Sequence, residues 1–334
     1  MKPPPVQMMF FQHLKASLPD HVSMADSIAD LLQISPDSAY RRIRGEKPIS
    51  FEELKMLCTH YKISLDQFIH LETDSVIFSG QYISQVGFDY EQYLQSILQQ
   101  VQYMNSFSKK EMLYLNKDIP VFYYFNFPEL TAFKSFFWMR SILNYPEYAN
   151  KQFNIEEPVN EAISKTGRQL AIAYSQLPSQ EIWNIESINS TIRQIEYYKD
   201  SHVFTCREQV AALYECLEKT MKHIQLQAEA GCKLSIDGKQ LQPQVPYKMY
   251  VNEFILGDNT ILALLNDTKI AYINHSVVNY LLTRETSFCE HTYRHFQNIM
   301  KKSTLISAVG EKERSRFFNR VKEKINARKN ALLQ

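Results

Sequence analysis

Glycine is scarce in this chain of 334 residues: there are only 8. They never fall into G-x-G-x-x-G or G-x-x-x-x-G-K-[ST], the loops whose bare backbone cradles phosphate groups. That argues against the common nucleotide-dependent enzymes. G-x-S-x-G is also missing, and with it the signal of an α/β-hydrolase. Cysteine is limited to 5 residues, an odd number, widely spaced and without a C-x-x-C pair. Reduced thiols in a cytoplasm fit this better than a disulfide framework. No apolar run approaches the ~20 residues of a membrane-spanning helix. The opening Met1–Pro5, with one lysine and three prolines, does not read as a secretory signal. A soluble, cytoplasmic protein with no membrane partner and no cofactor is expected.

Charge of one sign is lacking too. Lys and Arg number 37 against 36 Asp and Glu, for a formal net charge of +1. A general nucleic-acid coat would be more basic, so any DNA contact has to come from a local cluster of cations. What the chain does have is an ordinary globular composition, 45% hydrophobic and 22% charged. It also has length for about two domains and a wealth of rings, 20 Tyr and 20 Phe. The densest ring cluster runs from Phe122 to Phe127 and on through Phe133, Phe136, Phe137 and Trp138. Core, dimer surface and ligand pocket all remain open for it.

The first seventy residues read as short helices with marked starts. Ser23 followed by Asp26 is an N-cap with an acidic first turn. Ser35 precedes Pro36, and proline suits the first helical position. Ser50 with Glu53, and Ser64 with Gln67, are capping boxes. Apolar residues follow at helical spacing: Phe10, Phe11, Leu14 and Leu18; Ile28, Leu31 and Leu32; Ala39 and Ile43; Phe51, Leu54, Leu57, Cys58 and Tyr61; Leu65, Phe68 and Ile69. The second helix ends near Gln33 and the third starts at Pro36, the short connection that a helix-turn-helix requires. With Ala39 and Ile43 inward, Asp37, Ser38, Tyr40, Arg41, Arg42 and Arg44 are expected on the surface. Gly45 ends the helix.

The run SIADLLQISPDSAYRRIRGEKPISFEELKMLCTHYKISLDQFI resembles the XRE, or lambda-repressor-like, family over about residues 8–70. The strongest marks are the Leu31-Leu32-x-Ile34-Ser35 turn, the Arg44-Gly45-Glu46-Lys47-Pro48 exit and Ile63-Ser64-Leu65-Asp66. Members often carry Gln early in the third helix, where this chain has Pro36-Asp37. The resemblance implies a five-helix module whose third helix enters the major groove of double-stranded DNA. It makes Asp37, Ser38, Arg41 and Arg42 base-reading candidates and Tyr40, Arg44 and Lys47 phosphate contacts, and it counts Ser35, at the helix start, among the DNA-binding residues. It further implies a homodimer and a non-enzymatic transcription regulator. The alternative is a protein-interaction adaptor built on the same fold.

The remainder is expected to be mainly α with minor β, a larger and mostly helical α+β module. Boundaries are expected at 1–72 for the helix-turn-helix domain, 73–88 for a connector and 89–334 for a regulatory or dimerisation module, with a sub-boundary near 232–246. Helices are expected at Asp89–Asn105, Pro128–Leu143, Pro158–Gly231 with breaks near Pro178 and Asp200–Thr205, Ser276–Leu282, Cys289–Lys302 and Glu311–Asn330. Extended chain is expected at Met112–Phe127. Tyr247–Leu256 and Thr260–Leu265 flank Gly257-Asp258-Asn259 in a hairpin pattern, with a further strand at Lys269–Ile273. No helical repeat is visible. DNA module first and large variable module second is the order of one-component bacterial regulators, so a small-molecule or peptide effector is an open expectation. His291 and His295 share a helix face but lack the other ligands of a metal site, and no metal is expected. The basic helix at 311–330 reads as a charged outer face over an apolar stripe, Phe317, Phe318, Val321 and Ile325. Extra phosphate contact is its second reading.

Overall fold

Each helix near the amino terminus begins where a polar side chain can take up a free backbone N–H. Ser23 caps α2 (Met24–Leu32) by accepting from the Asp26 N–H, and Ser35 caps α3 (Pro36–Ile43) by accepting from the Ser38 N–H. Ser50 and Glu53 satisfy one another's backbone N–H reciprocally at the head of α4 (Phe51–Tyr61), both at 3.1 Å. With α1 (Val6–Ser17), these helices enclose a small core of Phe10, Phe11, Leu14, Ile28, Ala29, Ala39 and Leu57. In the computed structural model the described residues are 6–18, 22–61, 63, 65, 76–80, 89–254, 257–276 and 279–332. The expected fifth helix and the Ser64–Gln67 box fall largely outside them. The chain divides into two units, Met1–Ile77 and Phe78–Gln334.

The second unit is built on a seven-stranded sheet of order β6-β5-β4-β1-β2-β3-β7. The strands are β1 (Lys110–Leu115), β2 (Ser179–Trp183), β3 (Tyr247–Val251), β4 (Thr260–Leu265), β5 (Thr268–Ser276), β6 (Asn279–Thr283) and β7 (Thr304–Leu305). β1, β2 and β3 run parallel as neighbours, so helical crossovers must link them. From β1 to β2 the chain passes through α6 (Val121–Tyr124), α7 (Pro128–Phe137), a π-helical turn at Trp138–Ile142 and α8 (Glu161–Ser175). From β2 to β3 it passes through a 3₁₀ turn at Ile185–Ile188, α9 (Asn189–Asp200) and α10 (Arg207–Ala230). β4, β5 and β6 are an antiparallel meander on the far edge of β1.

The period-2 rule sorts the strand side chains between two helical layers. Met112 and Tyr114 face the main core, which also takes in α5 (Tyr90–Asn105), α8, α10 and α12 (Glu311–Asn330). Leu113, Leu115 and Ile182 face the other side, where Cys289, Phe296 and Met300 of α11 (Thr286–Lys301) cover them. The result is mainly α with some β. Among the described residues, no helix is long and apolar enough to cross a membrane.

On the main face, Glu181 and Lys233 are both 0% exposed and 3.0 Å apart. The Glu181 carboxylate also accepts from the Tyr123 and Tyr247 hydroxyls, the Tyr174 hydroxyl and the Trp183 indole N–H. The Lys233 ammonium sits 3.7 Å from the Tyr174 ring centroid, above the ring face. Burial works to raise the Glu181 pKa, but the Lys233 charge and these hydrogen bonds outweigh it and hold the carboxyl below its ordinary value. The cluster is fully partnered and closed to solvent, a polar pin through the core.

Several elements depart from the sequence expectation. Val121–Tyr124 is helical, not extended: its rings enter the helical layer, where Phe122 stacks on Tyr174 at 4.0 Å. Strand propensity of rings reflects fit to a pleated surface, and β1 has already ended at Leu115. β2 interrupts what was expected to be continuous helix after Pro178. Tyr247–Val251 and Thr260–Leu265 are strands but not a hairpin, since β1 and β2 lie between them in the sheet. Asn279–Thr283 is an edge strand beside β5 instead of part of a helix, and Ser79 pairs with its Leu282. Phe51, expected in the buried stripe of α4, is 85% exposed. Residues 232–246 fold back on themselves, with Cys232 opposite Pro246 and Leu234 opposite Gln240, and they carry Lys233 into the core.

Candidate nucleic-acid interface

The connection between α2 and α3 is fixed from both ends. Gln33 takes the left-handed conformation, φ 54°, and closes α2. The Ile34 N–H donates to the Ala29 carbonyl at 3.0 Å, the Ile34 side chain joins the small core, and Ser35 turns the chain into α3. Pro36 gives up no useful donor at the first helical position. At the far end Gly45, at φ 77°, lets the chain turn away from the helix.

α3 presents Asp37, Tyr40, Arg41 and Arg44 to solvent, and Lys47 follows on the exposed exit loop. Ser38 is half-buried, and the Ser35 hydroxyl is committed to its cap. Ala39 faces the core. Glu46 lies within ion-pair distance of both exposed arginines, 3.1 Å from Arg44 and 3.9 Å from Arg41. Such exposed pairs are weak and exchange readily with water and other anions.

Arg42 is the correction. It was expected among the base readers, yet it is 5% exposed. Its guanidinium forks onto the Glu53 carboxylate, and Nη1 donates to the Ser38 carbonyl at 3.2 Å. The Arg42 hydrogen bond leads the causes that hold the Glu53 carboxyl below its ordinary pKa. One α-helical turn places residues 38 and 42 on one face, and α4 closes over that face, so an arginine there finds a carboxylate instead of solvent.

Gln7 was not singled out by the sequence. Its amide Nε2 donates to the Arg42 and Lys47 carbonyls, both at 2.7 Å, and its Oε1 accepts from the Ile49 N–H at 3.1 Å. α1 therefore holds the α3 exit loop in place. A lone Gln in an amphipathic helix carries no signal of this in the sequence.

The other sequence candidates resolve simply. His291 and His295 are exposed, and among the described residues no group of three or more His, Cys, Asp and Glu could hold a metal ion. On α12, Phe317, Phe318, Val321 and Ile325 are buried. Three of that helix's cations are tied to carboxylates of the same unit: Lys324 to Glu186, Arg328 to Glu196 and Lys329 to Glu215. The aromatic cluster belongs to the core. All five cysteines are free, and Cys206 is exposed. In comparison with known proteins, no family model matches the chain, and neither a curated protein nor a solved structure matches it.

Proposed function

We propose that this chain is a sequence-specific DNA-binding transcription regulator whose first unit inserts α3 into the major groove. The observation that carries the reading is the division of labour on that helix: Ala39 and Arg42 anchor it, while Asp37, Tyr40, Arg41 and Arg44 are exposed on the outer side, the two arginines held only by weak pairs to Glu46. Arg41 is the candidate for a bidentate contact to guanine, worth about 1–3 kcal/mol of discrimination. Asp37 and Ser38 flank it toward the helix start, where base edges are read in this kind of docking. Tyr40, Arg44 and Lys47 suit phosphate oxygens, which set position without specifying sequence. The protein acts as a homodimer, with two α3 helices about 34 Å apart in successive major grooves. The second unit supplies dimer contacts, effector binding or both, and an effector changes operator affinity only by binding two states unequally.

The test is binding of the full chain to genomic fragments flanking its own gene at two salt concentrations, beside Arg41→Ala. Selection of one fragment, weaker at high salt and lost in the variant, supports the reading. Absence of any selected fragment moves the function to a protein-interaction adaptor, with partner proteins sought on the same face.

A further inference from the structure

Three asparagines follow the three parallel strands: Asn116 after β1, Asn184 after β2 and Asn252 after β3. Two are fully employed. The Asn184 amide donates to the Asn252 and Phe254 carbonyls, both at 2.7 Å, and accepts from the Glu186 N–H at 2.9 Å. The Asn252 amide donates to the Ser303 hydroxyl at 3.0 Å and accepts from the Phe254 N–H at 2.8 Å. Asn116 differs. Its backbone is satisfied, through the Ile182 carbonyl and the Ser187 hydroxyl. Its side chain is 0% exposed, and neither the amide nitrogen nor the amide oxygen has a partner. A buried carboxamide with both ends unmet is costly, and native proteins seldom keep one without a use.

Asn116 lines a cleft of about 590 Å³, within the size range of small-molecule sites. The cleft lies at the carboxyl ends of β1 and β2, where open sheets with parallel strands bind ligands. Phe137 and Tyr197 give it ring surface, and Arg193 on α9 gives it a guanidinium that makes no ion pair among the described residues. Of the other charges at the rim, Lys117 pairs with Asp258 at 2.6 Å and Glu186 with Lys324 at 2.9 Å, while the Asp118 carboxylate accepts from the Asn259 amide at 3.5 Å. Asn259 holds the rim still by accepting from the Lys117 and Asp118 N–H groups. Behind Gln194, another lining residue, Lys134 is buried with its ammonium 2.6 Å from the Gln194 carbonyl oxygen and no carboxylate in contact among the described residues. Arg193 is thus the lining cation left without an ion pair among the described residues, and Asn116 offers one unmet donor–acceptor pair.

We propose that this cleft binds a small anion bearing a planar edge with an N–H donor beside a C=O or ring-nitrogen acceptor, Asn116 pairing with that edge and Arg193 meeting the negative group. A nucleobase monophosphate and an N-acylated amino acid share this chemistry. The site does not depend on the DNA-binding reading, and its test needs no DNA.

The full chain is heated alone and with four probes at 1 mM: adenosine and uridine 5′-monophosphate, N-acetylglutamine, and inorganic phosphate. A rise in the unfolding midpoint with a nucleotide or with N-acetylglutamine, well above that with phosphate, is expected and identifies the source. Arg193→Ala, at an exposed position, keeps its fold and binds that probe about tenfold more weakly. Asn116→Leu removes the unmet amide, so its own midpoint rises by about 2–4 °C while the probe shift is lost. Absence of a shift from all four probes overturns the proposal, as does a shift from phosphate equal to the best organic probe. An Asn116→Leu protein less stable than the wild type also overturns it, since the amide would then be serving the fold.

Discussion

Arg42 and Glu53 grip one another through two charge-assisted hydrogen bonds, 3.0 Å from Nε and 2.6 Å from Nη2, so α3 is fastened to α4 by an arginine of the very helix proposed to meet DNA. Neighbouring arginines on that helix therefore do different jobs. Arg42→Ala leaves Glu53 without its partner and should cost about 2–4 kcal/mol of stability in the first unit. Arg41→Ala, at an exposed position, should stay within about 0.5 kcal/mol of the wild type. Urea unfolding of the two variants checks this, and equal losses would contradict the assignment.

Glu46 competes for the cations of the proposed interface. Removing its charge with Glu46→Gln frees Arg44 and Arg41 for phosphate oxygens. Affinity for a selected DNA fragment should rise about two- to fivefold at low salt, in keeping with the small worth of exposed pairs. The gain should shrink as salt screens it. Titrations at 50 and 200 mM salt report both. Unchanged affinity would place the two arginines away from the DNA.

His223 gives the second unit an acid limit. Burial, helped by the nearby Lys233 charge, pushes its pKa down to about 4. The native imidazole is therefore neutral where the unfolded chain, at its ordinary 6.5, already takes up a proton. Stability is fully present above pH 6.5 and falls as the pH drops toward 4, by about 3 kcal/mol across that window. Unfolding free energies at pH 7, 5.5 and 4.5 should show this fall, and His223→Gln should flatten it. A variant with the wild-type slope would assign the acid limit to carboxylates.

Gly167 is a helix residue that alanine cannot replace. A Cβ there would lie 2.3 Å from the Phe125 ring edge. Glycine to alanine normally strengthens a helix by about 1 kcal/mol, but here overpacking should make Gly167→Ala destabilising by about 1–3 kcal/mol. Phe125→Leu in the same chain should recover part of the loss. Thermal melts of the single and double variants decide it.

Much of the first unit could be read directly because its signals are local. Ser23, Ser35, Ser50 and Gly45 act on backbone groups within three or four residues, and each does so as its spacing indicates. The role of Arg42 is not legible in the sequence because its partner comes from another helix, and helical spacing says which face a residue occupies but not what covers it. The second unit's long helices, Arg207–Ala230 and Glu311–Asn330, show their apolar stripes plainly. Its sheet does not. Ser-Gln-Glu-Ile-Trp of β2 buries a charged Glu181 on its core face, the reverse of a strand's usual pattern, and the partners that explain it, Lys233 and the Tyr123, Tyr174 and Tyr247 hydroxyls, come from other parts of the chain. Asn116 has no sequence signature either, since an unmet amide is a fact about neighbours.

The register of β1 bears on how the chain folds as it is made. Leu113 faces Leu262 across one edge of that strand and Gln180 across the other. The central strand of the sheet is thus synthesised early and stays unpaired on one side until β4, Thr260–Leu265, has followed it out of the ribosome. Closing so long a loop is slow. The helices of the first unit need only near neighbours and can settle at once. For an interval of every synthesis, the nascent chain carries a finished α3 face beside an open, aggregation-prone sheet edge.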